Sequence, residues 1–418
     1  MARSRRARAR IRRAVAAAAA VCGVVALCLA PSCTQRPGSV HVPSVVIAST
    51  GVARPARVLL AEGIESAAVS IASPYTVEPW GERRRGTPPV LTTCPPLANG
   101  SVRITSSAII AGDRHFPDDA VLLRVQSRAA LSVNGRRYRG DLAILRAGPA
   151  QFDLLNVLPV EDYLYGVLGS ETFPTWPAAA LEAQAIIARS YALWRMAERR
   201  EGRFDLYATV MDQNYLGMEK EDPRLVAAVD RTAGLALLYQ MRLFRCYYHS
   251  TCGGHTSGVQ DVFPEPPLLP LSAVPCQYCK SSKHFAWKRT LTKAEIAAAL
   301  AEKGYSVPRL ASLAVASRTA SGRAREVTLG LPGDRQIAML ASDFRLAVGP
   351  GKLPSVWFEV RDLGASLEFT GHGFGHGVGL CQWGAKGMAD AGFAAPEILR
   401  HYYPGAHVQR LYEPRGAI

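Results

Sequence analysis

The run Gly371-His372-Gly373-Phe374-Gly375-His376-Gly377-Val378-Gly379-Leu380-Cys381-Gln382-Trp383-Gly384-Ala385 holds six glycines, two histidines, a glutamine and two aromatic rings in fifteen residues. Glycine accepts positive φ and lets backbone approach backbone or ligand closely. A strand-like segment, Ser366 to Thr370, precedes the run, and a helix-like segment, Ala385 to Ala391, follows it. The spacing therefore predicts a tightly folded loop that presents polar groups. It is not a phosphate loop, because no Gly-Lys-Ser/Thr follows the glycines. A plain Gly-rich turn whose histidines only satisfy buried backbone is the alternative.

Working outward, the β signals lie on the amino-terminal side. Short runs at Val58 to Leu60, Ala68 to Ile71, Val102 to Ile104, Ala120 to Val125, Leu142 to Leu145 and Phe152 to Val157 read as antiparallel strands punctuated by Gly, Pro, Asn and Asp. The Pro- and Arg-rich stretch from Glu78 to Pro96 reads as an exposed loop. Helical spacing begins after Pro159, through Val160, Tyr163, Leu164, Val167 and Leu168, with Gly169 as a stop. A longer helix is expected from Pro177 to Arg199, with Leu181, Ala185, Ala188 and Ala192 on one face. Further β runs (Ala236 to Tyr239, Leu243 to His249, Arg325 to Leu329) alternate with a helix near Lys293 to Lys303. The fold class expected is α+β: 1–35 leader, 36–56 linker, 57–151 amino-terminal β region, 152–410 core and 411–418 tail.

The first thirteen residues carry seven arginines and no acid, and an apolar run from Ala14 to Ala30 follows. A basic start, a short apolar core and small residues beyond it describe an export signal. The run is short of the roughly twenty apolar residues that a membrane helix requires. Arg5-Arg6 is a weak twin-arginine signal, and Cys33 stands where a lipoprotein would be acylated, so membrane attachment is expected only through such a lipid or an uncleaved leader. The chain has 418 residues and a net charge of +15, which falls to about +8 without those seven arginines. That surplus suits an acidic polymer. No aromatic and basic cluster of the single-strand-binding kind occurs, so an anionic wall glycan is expected rather than nucleic acid.

Two constellations carry candidate chemistry. Glu171 lies between the expected helices beside Phe173 and Trp176, and apolar surroundings let a carboxyl keep its proton near neutral pH. A solvated helix-end glutamate is the bland reading. Arg189, on the next helix, could orient a substrate carboxylate. The second constellation is Tyr248-His249-Ser250-Thr251-Cys252-Gly253-Gly254-His255, followed by Cys276-x-x-Cys279 and His284. Cys252, Cys276, Cys279 and His284 offer a tetrahedral zinc set, and a disulfide between two of the cysteines is the alternative. Cys246 reads as core.

Together these segments resemble the SpoIID/LytB family, the stage II sporulation protein D-like and amidase-enhancer proteins, from about Val58 to Val408. The motifs are Asn156 to Val167 continuing to Glu171, Ala183 to Ala192, Gln213 to Gly217, Tyr248 to Thr256, and Gly371 to Ala385 extended by Ile398 to Gly405. The resemblance implies action on peptidoglycan: lytic transglycosylase cleavage between N-acetylmuramic acid and N-acetylglucosamine in strands stripped of stem peptides. It places the catalytic glutamate on Glu171 and an important arginine on Arg189. His249, Ser250, His372, His376, Gln382, Gln213 and Tyr215 are then expected to contact substrate. A non-catalytic enhancer of a partner N-acetylmuramoyl-L-alanine amidase is the rival, and a zinc hydrolase a third class. No cofactor is required on the first reading, zinc excepted. The chain departs from the family pattern where Cys252 stands for the commoner Ser before Gly-Gly, where Thr172-Phe173-Pro174 replaces Met-Pro, and in Cys276-x-x-Cys279.

Overall fold

A seven-stranded sheet opens the structure and shares one core with the first three helices. The computed structural model describes residues 54–80, 92–126 and 131–413. The expected leader, Cys33 and most of the linker and tail lie outside those residues. In order, the sheet comprises Leu206–Tyr207, Ala56–Ile64, Phe152–Leu158, Asp141–Arg146, Ala120–Val125, Tyr75–Pro79 and Thr92–Cys94. All neighbours are antiparallel except Leu206–Tyr207, which runs parallel to Ala56–Ile64. Phe152–Leu158 lies inside this sheet, so residue 151 marks no seam in it. A six-stranded antiparallel sheet, from Arg136–Tyr138 to Arg114–Phe116, contributes Val69, Val102, Ile109 and Leu131 to the same core. The mixed architecture is α+β, as expected. Of the stretch read as an exposed loop, Glu78–Pro79 and Thr92–Cys94 are strands.

Seven helices are described: α1 (Val160–Glu171), α2 (Ala178–Glu198), α3 (Pro223–Arg231), α4 (Lys293–Glu302), α5 (Ala341–Val348), α6 (Gln382–Asp390) and α7 (Ala395–Tyr402). Pro159 and Pro177 stand just before α1 and α2, where no intrahelical N–H is required. Gly169 does not stop α1, which continues to Glu171. A Cβ at Gly169 would lie 2.0 Å from the Lys220 carbonyl oxygen. The residue is glycine because another strand of backbone presses on the helix, not because the helix ends there.

α2 is the central element. The face carrying Leu181, Ala185, Ala188 and Ala192 packs into the β core. The opposite face, with Ala183, Ile186 and Ile187, is buried in a second core with α6, α7 and five cysteines. Burying a side chain the size of Leu or Ile stabilises by about 1.5–3 kcal/mol, so both faces hold the helix strongly. A third core, spanning Trp287 to Phe369, joins two three-stranded sheets with α4 and α5. The β run expected from Leu243 to His249 is two short strands, Arg242–Leu243 and Tyr248–His249, with irregular chain between them. Among the described residues no helix is long and apolar enough to cross a membrane.

Candidate active site and cysteine cluster

The glycine-rich run folds against the Tyr248–His255 segment. Tyr248–His249 pairs in parallel with Leu380–Cys381, and Thr251 bridges Phe374. Gly373, Gly375, Gly377 and Gly379 all adopt positive φ, the conformation that the sequence spacing predicts. The Ser250 carbonyl accepts from Trp383 N–H at 3.0 Å, and the Gly377 carbonyl accepts from Ser257 N–H at 2.8 Å. Two segments about 130 residues apart thus become one surface beside the end of α1.

Glu171 closes α1. Its backbone carbonyl accepts from Gln382 Nε2 at 3.0 Å, and that amide also approaches Gln184 Oε1 at 3.5 Å. Its carboxylate accepts from the Asn214 backbone N–H. Burial lifts the Glu171 carboxyl from 4.5 to about 6, against the opposing pull of that one hydrogen bond. The residue keeps some exposure, so a poorly hydrated carboxyl stays reachable. Phe173, Trp176 and Trp383 form a row beside it, successive ring centres 5.5 Å apart. Phe173 is 57% exposed.

Several expected contacts take different places. Arg189 is fully buried and binds Glu161 bidentately, with Nη2 to Oε2 at 2.6 Å. It also donates to the Leu235 and Val229 carbonyls. Glu161 accepts in addition from Gly234 N–H and the Tyr412 hydroxyl. The guanidinium is therefore a structural tie among α1, α2, α3 and the carboxyl-terminal segment, with no free face for a substrate carboxylate. Tyr215 is buried, its hydroxyl donating to Asn156 Oδ1 at 2.7 Å, so it does not reach substrate. Gln213 is likewise buried: it accepts from the Tyr163 hydroxyl and donates to that of Tyr248, both at 3.2 Å. It orients Tyr248, whose ring lies close enough to Glu171 to feel its charge.

His376 has both ring nitrogens engaged. Nδ1 accepts from Val378 N–H at 3.1 Å, so Nε2 is the protonated nitrogen and donates to the Tyr248 carbonyl at 2.9 Å. Burial holds it down at about 4. It fastens the loop and has no nitrogen left for a sugar. His249 Nδ1 donates to the Val378 carbonyl at 3.1 Å, and its buried Nε2 has no hydrogen-bond partner among the described residues. His372 Nδ1 donates to the Phe285 carbonyl, and the Ser250 hydroxyl lies 3.4 Å from that of Thr251. The structure thus brings Glu171, Gln382 and Gln213 together with Tyr248, Asn214 and Gln184, which lie in the quoted motifs but had no expected role at the site.

The cysteines lie behind this surface. The sulfurs of Cys252, Cys276, Cys279 and Cys381, all buried, sit within 4.8 Å of one another. His284 is not the fourth member: its ring packs on Phe374 at 4.7 Å. The expected alternative, a disulfide, is not formed among these thiols. Cys381 takes the fourth place; it was not among the expected ligands, and its presence in the glycine-rich run is the signal that could have found it. Cys246 is buried, as expected.

A family model described as stage II sporulation protein matches residues 149–239, the stretch holding α1, α2, α3 and Glu171. An uncharacterized protein of Brachyspira hyodysenteriae is 32% identical over 285 residues, covering 68% of this chain and 75% of that protein. Stage II sporulation protein D of Bacillus subtilis is 28% identical over 267 residues, covering 60% of this chain and 74% of its own. The chain belongs to the SpoIID/LytB family. The amidase enhancer of Bacillus subtilis is 24% identical over 285 residues, which is 58% of this chain and 39% of the enhancer. A domain of unknown function matches residues 276–379, from the first cysteine of Cys276-x-x-Cys279 to two residues before Cys381. For a SpoIID/LytB chain, the third core and the paired cysteines are thus a separately recognised segment.

Proposed function

We propose that this chain is an exported peptidoglycan lytic transglycosylase acting on peptide-stripped glycan strands, with Glu171 as its general acid and base. The observation that carries the reading is the Glu171 carboxyl, buried enough to titrate at about 6 yet still reachable beside the aromatic row. A general acid whose pKa lies near the working pH holds its proton and can still release it.

The protonated carboxyl donates to the glycosidic oxygen between N-acetylmuramic acid and N-acetylglucosamine as the C–O bond breaks and positive charge develops on the sugar. The resulting carboxylate then takes the proton of the muramic acid 6-hydroxyl. That oxygen closes on the anomeric carbon to give a 1,6-anhydro end. An internal hydroxyl replaces water, so the paired carboxylates of ordinary glycosidases are not needed. In keeping with this, burial and one backbone hydrogen bond account for the Glu171 shift, with no second carboxylate contributing. Asn214 N–H stabilises the carboxylate stage, and Phe173, Trp176 and Trp383 offer flat faces for pyranose rings.

Amidase-treated glycan incubated with the protein should release anhydro-ended sugars by mass spectrometry, and Glu171→Gln should abolish them. Undiminished product from the variant would refute the assignment. The similarity to the amidase enhancer favours one rival, a non-catalytic activator of a partner amidase. In that case neither protein yields anhydro ends, and the wild type raises the amidase's rate.

A further inference from the structure

We infer that Cys252, Cys276, Cys279 and Cys381 bind one zinc ion in a closed, structural site that holds the glycine-rich run against the end of α1. This is independent of the proposed activity. The four sulfurs come from three separate stretches of chain, all buried, within 4.8 Å of one another. A tetrahedral Zn–S₄ site with bonds near 2.3 Å sets its sulfurs about 3.8 Å apart, and those of Cys252 and Cys279 stand at 3.5 Å. It is too tight for an iron–sulfur cluster, and four thiolates leave no open position for chemistry.

The surroundings are those of thiolates. Cys381 Sγ accepts from Cys252 N–H at 3.2 Å and from Gly384 N–H at 3.3 Å. Cys252 Sγ accepts from Gly254 N–H at 3.4 Å, and the Tyr402 hydroxyl lies 3.1 Å from Cys276 Sγ, placed to donate. Gly384 permits this closeness, since a Cβ there would lie 2.7 Å from Cys276 Sγ and 1.9 Å from Tyr402 Oη. Four thiolates and a divalent ion carry a net charge of −2, which is costly in a buried place unless compensated. Arg323, 2% exposed, supplies a positive charge there. It donates to the Cys252 carbonyl at 2.7 Å, lies over the Trp357 ring and makes no carboxylate ion pair among the described residues. Such outer partners orient metal ligands.

The position of Cys381 gives the site its consequence. Its sulfur caps α6, and Gln382 follows it directly and holds the Glu171 backbone. Cys252 ends the Tyr248–Cys252 stretch that faces it. The ion therefore ties together both segments that flank Glu171.

The test is elemental analysis of the full exported chain, purified without chelator. About one zinc per chain is expected. Cobalt exchanged into the protein should give the intense sulfur-to-metal charge-transfer band and visible bands of a tetrahedral thiolate site, unchanged by added azide. Removing the metal with a strong chelator should lower the melting temperature by more than ~10 °C. It should also expose four thiols to reagent. Cys381→Ser should lose the zinc, whereas Cys94→Ser, a buried cysteine of the first sheet, should keep it. If Cys381→Ser does not fold, the wild-type measurements still decide. Iron instead of zinc, disulfides among the four cysteines, an azide-sensitive cobalt spectrum or a melting temperature indifferent to chelation would each overturn the site. Zinc bound as described with no glycan cleaved leaves this inference standing and removes only the proposed activity.

Discussion

Gln382 reaches across from the first turn of α6 and donates its side-chain amide to the backbone carbonyl of Glu171 at 3.0 Å. The last carbonyls of a helix have no intrahelical partner, and this one is satisfied by the glycine-rich loop itself. The residue proposed to do the chemistry is thus fixed through its main chain, leaving the carboxyl free to act. Gln382→Ala should lower kcat several-fold and leave KM little changed, whereas a direct substrate contact would raise KM. Steady-state kinetics on stripped glycan separates the two.

Glu171 should also reveal itself in stability. Its folded-state value of about 6 exceeds the ordinary 4.5, so the fold prefers the protonated acid. Stability from this group is full below about 4.5 and is lost as pH rises through 6, at a cost of up to ~2 kcal/mol. Glu171→Gln should therefore melt higher than wild type at pH 8, and the difference should vanish near pH 4. A variant less stable at pH 8 would contradict the desolvated environment.

His376 works in the other direction. Held at about 4 against 6.5, it contributes stability that is full above 6.5 and lost as pH falls towards 4, when protonation would also break the bond from Val378 N–H. The effect is about 3 kcal/mol. His376→Gln should be less stable at neutral pH yet lose less of its stability between pH 7 and 4.5, as read by denaturant titration at each pH.

Arg189→Met should cost up to about 3–5 kcal/mol, because Glu161, only 14% exposed, would lose its guanidinium partner. The double variant with Glu161→Gln should recover part of the loss. Among folded molecules, KM for glycan should stay unchanged. A large rise in KM in a stable Arg189→Lys protein would restore the arginine to the substrate.

Gly169→Ala should destabilise the protein by about 1–3 kcal/mol, although alanine is ordinarily the better helix former. The added methyl would meet the Lys220 carbonyl at 2.0 Å. By contrast, Phe173→Ala, at a 57% exposed ring, should change stability by less than ~0.5 kcal/mol and raise KM. Thermal melts and kinetics on the same preparations test both.

Periodicity was enough to find α1, α2 and most strands, because their apolar faces carry the pattern directly. The glycine-rich loop and Glu171 were readable for a similar reason: residue types alone report backbone freedom and apolar flanks. Arg189 and Tyr215 misled because their roles depend on partners remote in sequence, Glu161 and Asn156, which no local pattern announces. His284 misled differently. It lies five residues from Cys279, closer in sequence than Cys381, yet the parallel pairing of Leu380–Cys381 with Tyr248–His249 decides which side chain reaches the other sulfurs. Tyr248 and Asn214 stood inside quoted motifs without a role, since Asn214 acts through its backbone and Tyr248 through its closeness to Glu171 and Gln213, which only the fold supplies.

That parallel pairing also sets an order of events during biosynthesis. Residues 248–249 have no partner until residues 380–381 have been made, almost a third of the chain later. Contacts this remote in sequence form slowly. The surface beside Glu171 can therefore form only on a nearly finished polypeptide, and a chain cut short before α6 would keep the strands of its first sheets but lack the contact from Gln382 to Glu171.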